Sequence, residues 1–189
     1  LVLPTTAYLI ERAAVADVDA IHGVREALAD QLALALEAKF AAVFAAHTEE
    51  AGAPFSASAE AMARRAIANL SLSYLVRTGK QQWLDACAAQ FKSATNMTDQ
   101  AAALRNLVNS SAQAADSLRS EALESFHGQW QHEALVVDQW FAIQATNTLP
   151  GTLSRVEELM QHADFDIKNP NKVRSLIGAF CGQNHLGFH

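Results

Sequence analysis

The chain has little of what most enzymes and binding proteins carry openly. Of 189 residues only 7% are aromatic, 18% are charged, four are proline, eight are glycine and two are cysteine. So little turn punctuation leaves no room for a sheet protein, which needs a break every few residues. Two distant thiols, Cys87 and Cys181, rule out a disulfide-stapled scaffold and imply a reducing compartment, the cytoplasm. Each sits among Ala, Gly and Phe and is expected to be a small buried hydrophobe. Basic residues are outnumbered, 14 against 20, for a net charge of −6. No Lys/Arg run is present to displace counterions, so nucleic acid is not a partner. No apolar run reaches the length of a membrane span, and the N-terminus lacks a signal-peptide pattern.

What is present is apolar residue at helical spacing, rich in Ala, which has the lowest helix cost. Thr5 or Thr6 caps a short helix through Arg12. Asp17 and Asp19 open a long one with Ile21, Val24, Leu28, Leu32, Leu36, Phe40 and Phe44 in a single stripe. Gly52 and Pro54 end it. Ser56 or Ser58 starts the next, with Met62, Ile67, Leu70, Tyr74 and Leu75 inward and Gly79 in a left-handed cap. Further helices follow over Gln81 to Lys92, from Thr98, from Ser111, over Glu133 to Ala145, over Thr152 to Gln161 and over Val173 to Phe180, with Pro150-Gly151 and Asn169-Pro170 as breaks. Roughly nine helices joined by short turns predict an all-α fold of antiparallel helix pairs, packed as a bundle or as an irregular α-solenoid, since no fixed-period repeat appears. Leu28, Leu32, Phe40, Trp83, Trp130, Trp140 and Phe180 are the expected core.

Residue patterns that carry chemistry are few. His132-Glu133-Ala134-Leu135-Val136 has Val136 where a zinc-protease motif needs its second histidine. His127 and His132, five residues apart, face away from each other on a helix, and His162, His185 and His189 are scattered near turns. The chain is therefore expected to hold no metal and no cofactor. Glu49-Glu50, Glu157-Glu158 and Asp164/Asp166 read as solvated pairs. Gly178 and Gly182 read as a close-packing spacing. Arg174 stands alone on an apolar helix, either as a surface or ion-paired residue or as a guanidinium aimed into a cavity to hold a carboxylate or carbonyl. No paired Glu-x-x-His pattern supports a helical-bundle metalloenzyme.

One segment is far more specific. The run Asn169-Pro170-Asn171-Lys172-Val173-Arg174-Ser175-Leu176-Ile177-Gly178-Ala179-Phe180, followed by Phe188-His189, resembles the bacterial aminopeptidase N family. Asn96-Met97-Thr98-Asp99, Val137-Asp138-Gln139-Trp140-Phe141 with Gln144-Ala145, Leu159-Met160-Gln161-His162 and Val24-Arg25-Glu26-Ala27-Leu28 are similar in order and spacing. The resemblance covers essentially all of residues 1–189 and implies a stacked HEAT/armadillo-like helical domain, part of a single C-terminal domain. The parent enzyme would remove N-terminal residues from peptides with one zinc, held in a thermolysin-like catalytic domain that is absent here. The helical domain would close over that catalytic domain, enclose the cavity and control access, and would be inert alone. Its partners would be the catalytic domain of the same polypeptide and peptide substrates. Arg174 matches a cavity-facing arginine that meets bound peptide. The opening Leu1-Val2-Leu3-Pro4, without Met, and the closing Gly187-Phe188-His189 are expected to be cuts within a longer chain, the C-terminal one removing further helices. A free-standing helical-repeat binding module is the competing expectation.

Overall fold

A computed structural model describes residues 2–48 and 54–189. The expected break at Gly52 and the pair Glu49-Glu50 lie outside them. Among the described residues all regular structure is helical, as the periodicity predicts. No helix there is long and apolar enough to cross a membrane. The chain divides into two compact units, residues 28–122 and residues 1–27 with 123–189.

The unit of residues 28–122 is built on α4 (Ala59–Arg77), which packs on α3 (Glu37–His47), α5 (Gln81–Ser93) and α6 (Met97–Asn109). Ser58 caps α4 by accepting from the Ala61 amide at 3.2 Å. Gly79 ends it with φ of 69°, the left-handed conformation that favours glycine. Leu72, Leu75, Leu84, Leu104 and Leu107 are fully buried, each contributing about 1.5–3 kcal/mol relative to exposure. Phe40 stacks on Tyr74 with ring centroids 4.5 Å apart. Polar ties close the same unit. Glu37 accepts from Lys80 Nζ at 2.6 Å and from Trp83 Nε1 at 2.9 Å. Those two donors, Lys80 first, hold its carboxyl below the usual range. Asp99 accepts from Asn69 at 2.7 Å, and Asn96 caps α6, which begins one residue before Thr98.

The long helix expected from Asp17 onward is two helices, α2 (Val18–Ala35) and α3. They part at Leu36, whose φ of −113° and ψ of 13° leave the helical region. Asp17 does cap α2, accepting from the Ala20 amide at 2.9 Å. The expected apolar stripe is inward only in part, with Ile21, Leu32, Leu36, Phe40 and Phe44 half-buried. Ala29 and Ala33 are buried, whereas Val24 and Leu28 are exposed. Small residues face inward because they permit close backbone approach, which a count of large apolar positions overlooks. Met62 and Ile67 are exposed as well, while Leu32, Phe40, Trp83 and Trp130 are only half-buried.

The second unit holds α1 (Thr6–Arg12), capped by Thr5, and the chain from Leu123. Helix α7 (Ala115–Trp130) crosses the boundary between units and starts four residues later than Ser111 suggests, because residues 111–114 form a turn. Helix α8 (Ala134–Ala145) buries Val137, Trp140, Phe141 and Ile143 against α9 (Thr152–Leu159) and a helix that follows Asn169. That last helix runs as α10 (Pro170–Val173), a π turn (Arg174–Gly178) and α11 (Ala179–Gln183). Asn169 caps it and Pro170 fills its first turn, where a missing N–H costs nothing. A short α12 (His185–Phe188) follows. Asn184, at 1% exposure, donates to the carbonyls of Ala145 and Asn147 at 3.0 and 2.7 Å, and pins the end of α11 to the end of α8.

Candidate functional site

Arg174 lies at the start of the π turn. The amide of Ala179, five residues on, bonds its carbonyl in place of the usual four-residue ring. Such widened turns recur at functional sites. Its side chain is exposed and makes no hydrogen bond or ion pair among the described residues. The residue two before it does the opposite. Lys172 is buried, with Nζ 2.8 Å from Asp138 Oδ1, 3.3 Å from the Ala134 carbonyl and 5.6 Å from the Phe141 ring centroid. The Asp138 oxygen has no aligned hydrogen-bond donor, so the contact is ionic. One cation thus anchors the helix to α8 and the next is offered to solvent.

Around Gly178 and Gly182 the expected close packing is absent. Both are exposed, and a Cβ at Gly182 would meet nothing within 4 Å. Cys87 is buried as expected, donating to the Ala103 carbonyl at 3.4 Å. Burial pushes its thiol up to about 12. Cys181 departs from expectation and is exposed, because it falls on the outer side of α11, opposite Ala179 and Phe180.

The zinc-protease fragment does not assemble. His132 precedes α8, Glu133 occupies its N-cap, and Val136 is half-buried. The motif chemistry needs two histidines one turn apart on a helix, so these residues do not fit the zinc of a peptidase.

The fold does bring other histidines together. His127, on the last turns of α7, places Nε2 2.6 Å from Asp164 Oδ2 in the segment after α9. His162 Nδ1 is 3.7 Å from the same oxygen and accepts from the Asp164 amide at 3.2 Å. The rings of His127 and His162 meet edge to face at 5.0 Å, and both pack on Trp140, at 4.8 and 5.3 Å. Desolvation, partly opposed by the Asp164 charge, lowers the proton affinity of His162. Sequence spacing could not reveal this. His127 and His162 lie on different elements, and Asp164 looked like half of a solvated acidic pair.

The helix-pair architecture defines the class. The family profile described as "Domain of unknown function (DUF3458_C) ARM repeats" matches residues 1–189, and the chain belongs to that family of armadillo-type helical repeats. Among curated relatives, Aminopeptidase N of Escherichia coli (strain K12) is 36% identical over 190 residues, covering 100% of this chain and 21% of the relative. Aminopeptidase N of Haemophilus influenzae is 34% identical with the same coverage. A crystal structure of Legionella pneumophila aminopeptidase A in complex with aspartic acid superposes with a TM-score of 0.85 at 30% identity, covering 100% of this chain and 22% of that one. The chain therefore corresponds to about a fifth of the length of the aminopeptidases it matches, and the resemblance to the aminopeptidase N family stands.

Proposed function

We propose that this chain is part of the C-terminal helical domain of a zinc aminopeptidase. In that reading it encloses the peptide cavity of a catalytic domain located elsewhere in the polypeptide, limits access to it, and has no peptidase activity alone. The observation that carries this is Arg174. It is an exposed guanidinium without a protein partner, on a π turn fixed from behind by the buried Lys172–Asp138 pair. A guanidinium offers a planar fork of donors suited to a peptide carbonyl or carboxylate. Holding it on a tied-down helix limits the entropy lost when peptide binds.

The test is Arg174→Ala in the parent enzyme. The zinc chemistry is remote from this residue, so the loss falls on binding rather than turnover. KM for longer peptides rises about tenfold, the equivalent of one charge-assisted hydrogen bond, with kcat nearly kept. A dipeptide analogue too short to reach the arginine is little affected. Unchanged kinetics at every peptide length would refute the role of Arg174. The competing reading, a free-standing repeat module, predicts a native species of 20.4 kDa. A much larger native species carrying aminopeptidase activity supports the parent-enzyme reading.

A further inference from the structure

We propose that His127, His162 and Asp164 form a binding site for one borderline divalent transition-metal ion, zinc foremost, with a remaining coordination position left to water. One ligand atom from each residue lies within 4.8 Å of the other two. A tetrahedral ion with ligands at about 2.0–2.1 Å needs those atoms about 3.3 Å apart. The 3.7 Å separation of His162 Nδ1 from Asp164 Oδ2 is already close to that, and the 2.6 Å contact of His127 Nε2 has only to open.

The ligand chemistry agrees. Two imidazoles and one carboxylate suit zinc, nickel or copper rather than calcium or magnesium, which favour all-oxygen shells. His162 Nδ1 accepts a hydrogen bond from the Asp164 amide, so the nitrogen is unprotonated, the form a metal requires, and its lone pair has to give up that bond to bind the ion. For His127 Nε2 to ligate, the proton it shares with Asp164 has to leave that nitrogen. The Trp140 ring lies against both imidazoles and limits their rotation, so less ordering is left for the ion to impose. The side chains retain 22%, 31% and 35% exposure, which leaves the ion a way in. Bound there, it would join the end of α7 to the segment following α9. The site is separate from any peptidase zinc, whose motif this chain lacks, so its test does not depend on the proposed function.

The experiment is a zinc titration of the 189-residue chain, untagged and stripped with chelator, followed by calorimetry. Cobalt substitution reports geometry through its visible absorption. The expected result is one saturable ion per chain, tetrahedral-type cobalt bands and a raised melting temperature with zinc. Asp164→Asn preserves shape while removing the charged ligand, and His162→Gln removes a nitrogen. Each should weaken binding by at least about 100-fold, since even an outer-shell partner is worth about 10–100-fold. Circular dichroism confirms that each variant is folded, and the near-isosteric Asp164→Asn decides the matter if His162→Gln is not. His132→Gln, outside the cluster, should bind as the unmodified chain does. Absence of stoichiometric uptake, or equal affinity in Asp164→Asn, overturns the proposal and leaves the three residues as a hydrogen-bonded clasp.

Discussion

Each of the two units is stabilised internally by a different kind of interaction. Residues 28–122 rely mainly on aliphatic burial along regular helices, with α4 in contact with three neighbours. Residues 123–189 use shorter helices tied by polar and aromatic contacts between positions far apart in sequence. Examples are Lys172 with Asp138, Asn184 with the end of α8, His127 with Asp164, and Arg155 Nε with Gln144 Oε1 at 3.0 Å. Both features for which we propose a function, the exposed Arg174 and the His127–His162–Asp164 cluster, lie within residues 123–189. Aliphatic packing is tolerant and sets a shape. Buried polar contacts tolerate little and fix positions, because an unpaired group in the interior is costly.

The comparison can be tested from its strongest contact downward. Trp140 is 4% exposed and donates Nε1 to the Leu123 carbonyl at 3.0 Å. Trp140→Ala should destabilise the chain by about 3–5 kcal/mol, measured by chemical denaturation. A loss below about 1 kcal/mol would show that the aromatic cluster is not what holds residues 123–189. Next comes Asp138→Ala, which strands the Lys172 ammonium beside the Phe141 ring. Its side chain and that of Asp138 are 10% and 17% exposed, so the expected loss is about 2–3 kcal/mol, somewhat less than for a fully buried pair. Lys172→Met in the same background should recover part of it, because an apolar side chain needs no counter-charge. A chain held by generic burial alone would show no such recovery.

These differences also explain how much could be read in advance. The all-α class, the caps at Thr5, Asp17 and Ser58, each narrowed to one of two residues, and the left-handed Gly79 rest on local rules and were legible; Asn169 read as a break and proves to be a cap. So was the burial of Trp140 and Phe180, which lie on strongly apolar helices. The inward face of α2 was not, since Ala29 and Ala33 bury through closeness of approach rather than size. Nor was the break at Leu36, where no glycine or proline marks the departure. Arg174 stood out by its isolation and its matching motif, and the structure adds the widened turn beneath it. The His127–His162–Asp164 cluster was beyond reach, because only tertiary folding brings the end of α7 beside the segment after α9.

The burial of Cys87 has a use in kinetics. Burial pushes the Cys87 thiol up to about 12, so the closed unit holds little thiolate, the form that alkylates. Cys181, on the surface, meets reagent without any opening. The chain therefore carries its own clock. Mass spectrometry should find the first label at Cys181 at once, and the second at Cys87 only as fast as α4, α5 and α6 separate. With enough reagent that alkylation outpaces reclosing, the interval between the two labels measures the lifetime of the closed unit. A Cys87 that labels as quickly as Cys181 would mean that the aliphatic unit opens freely.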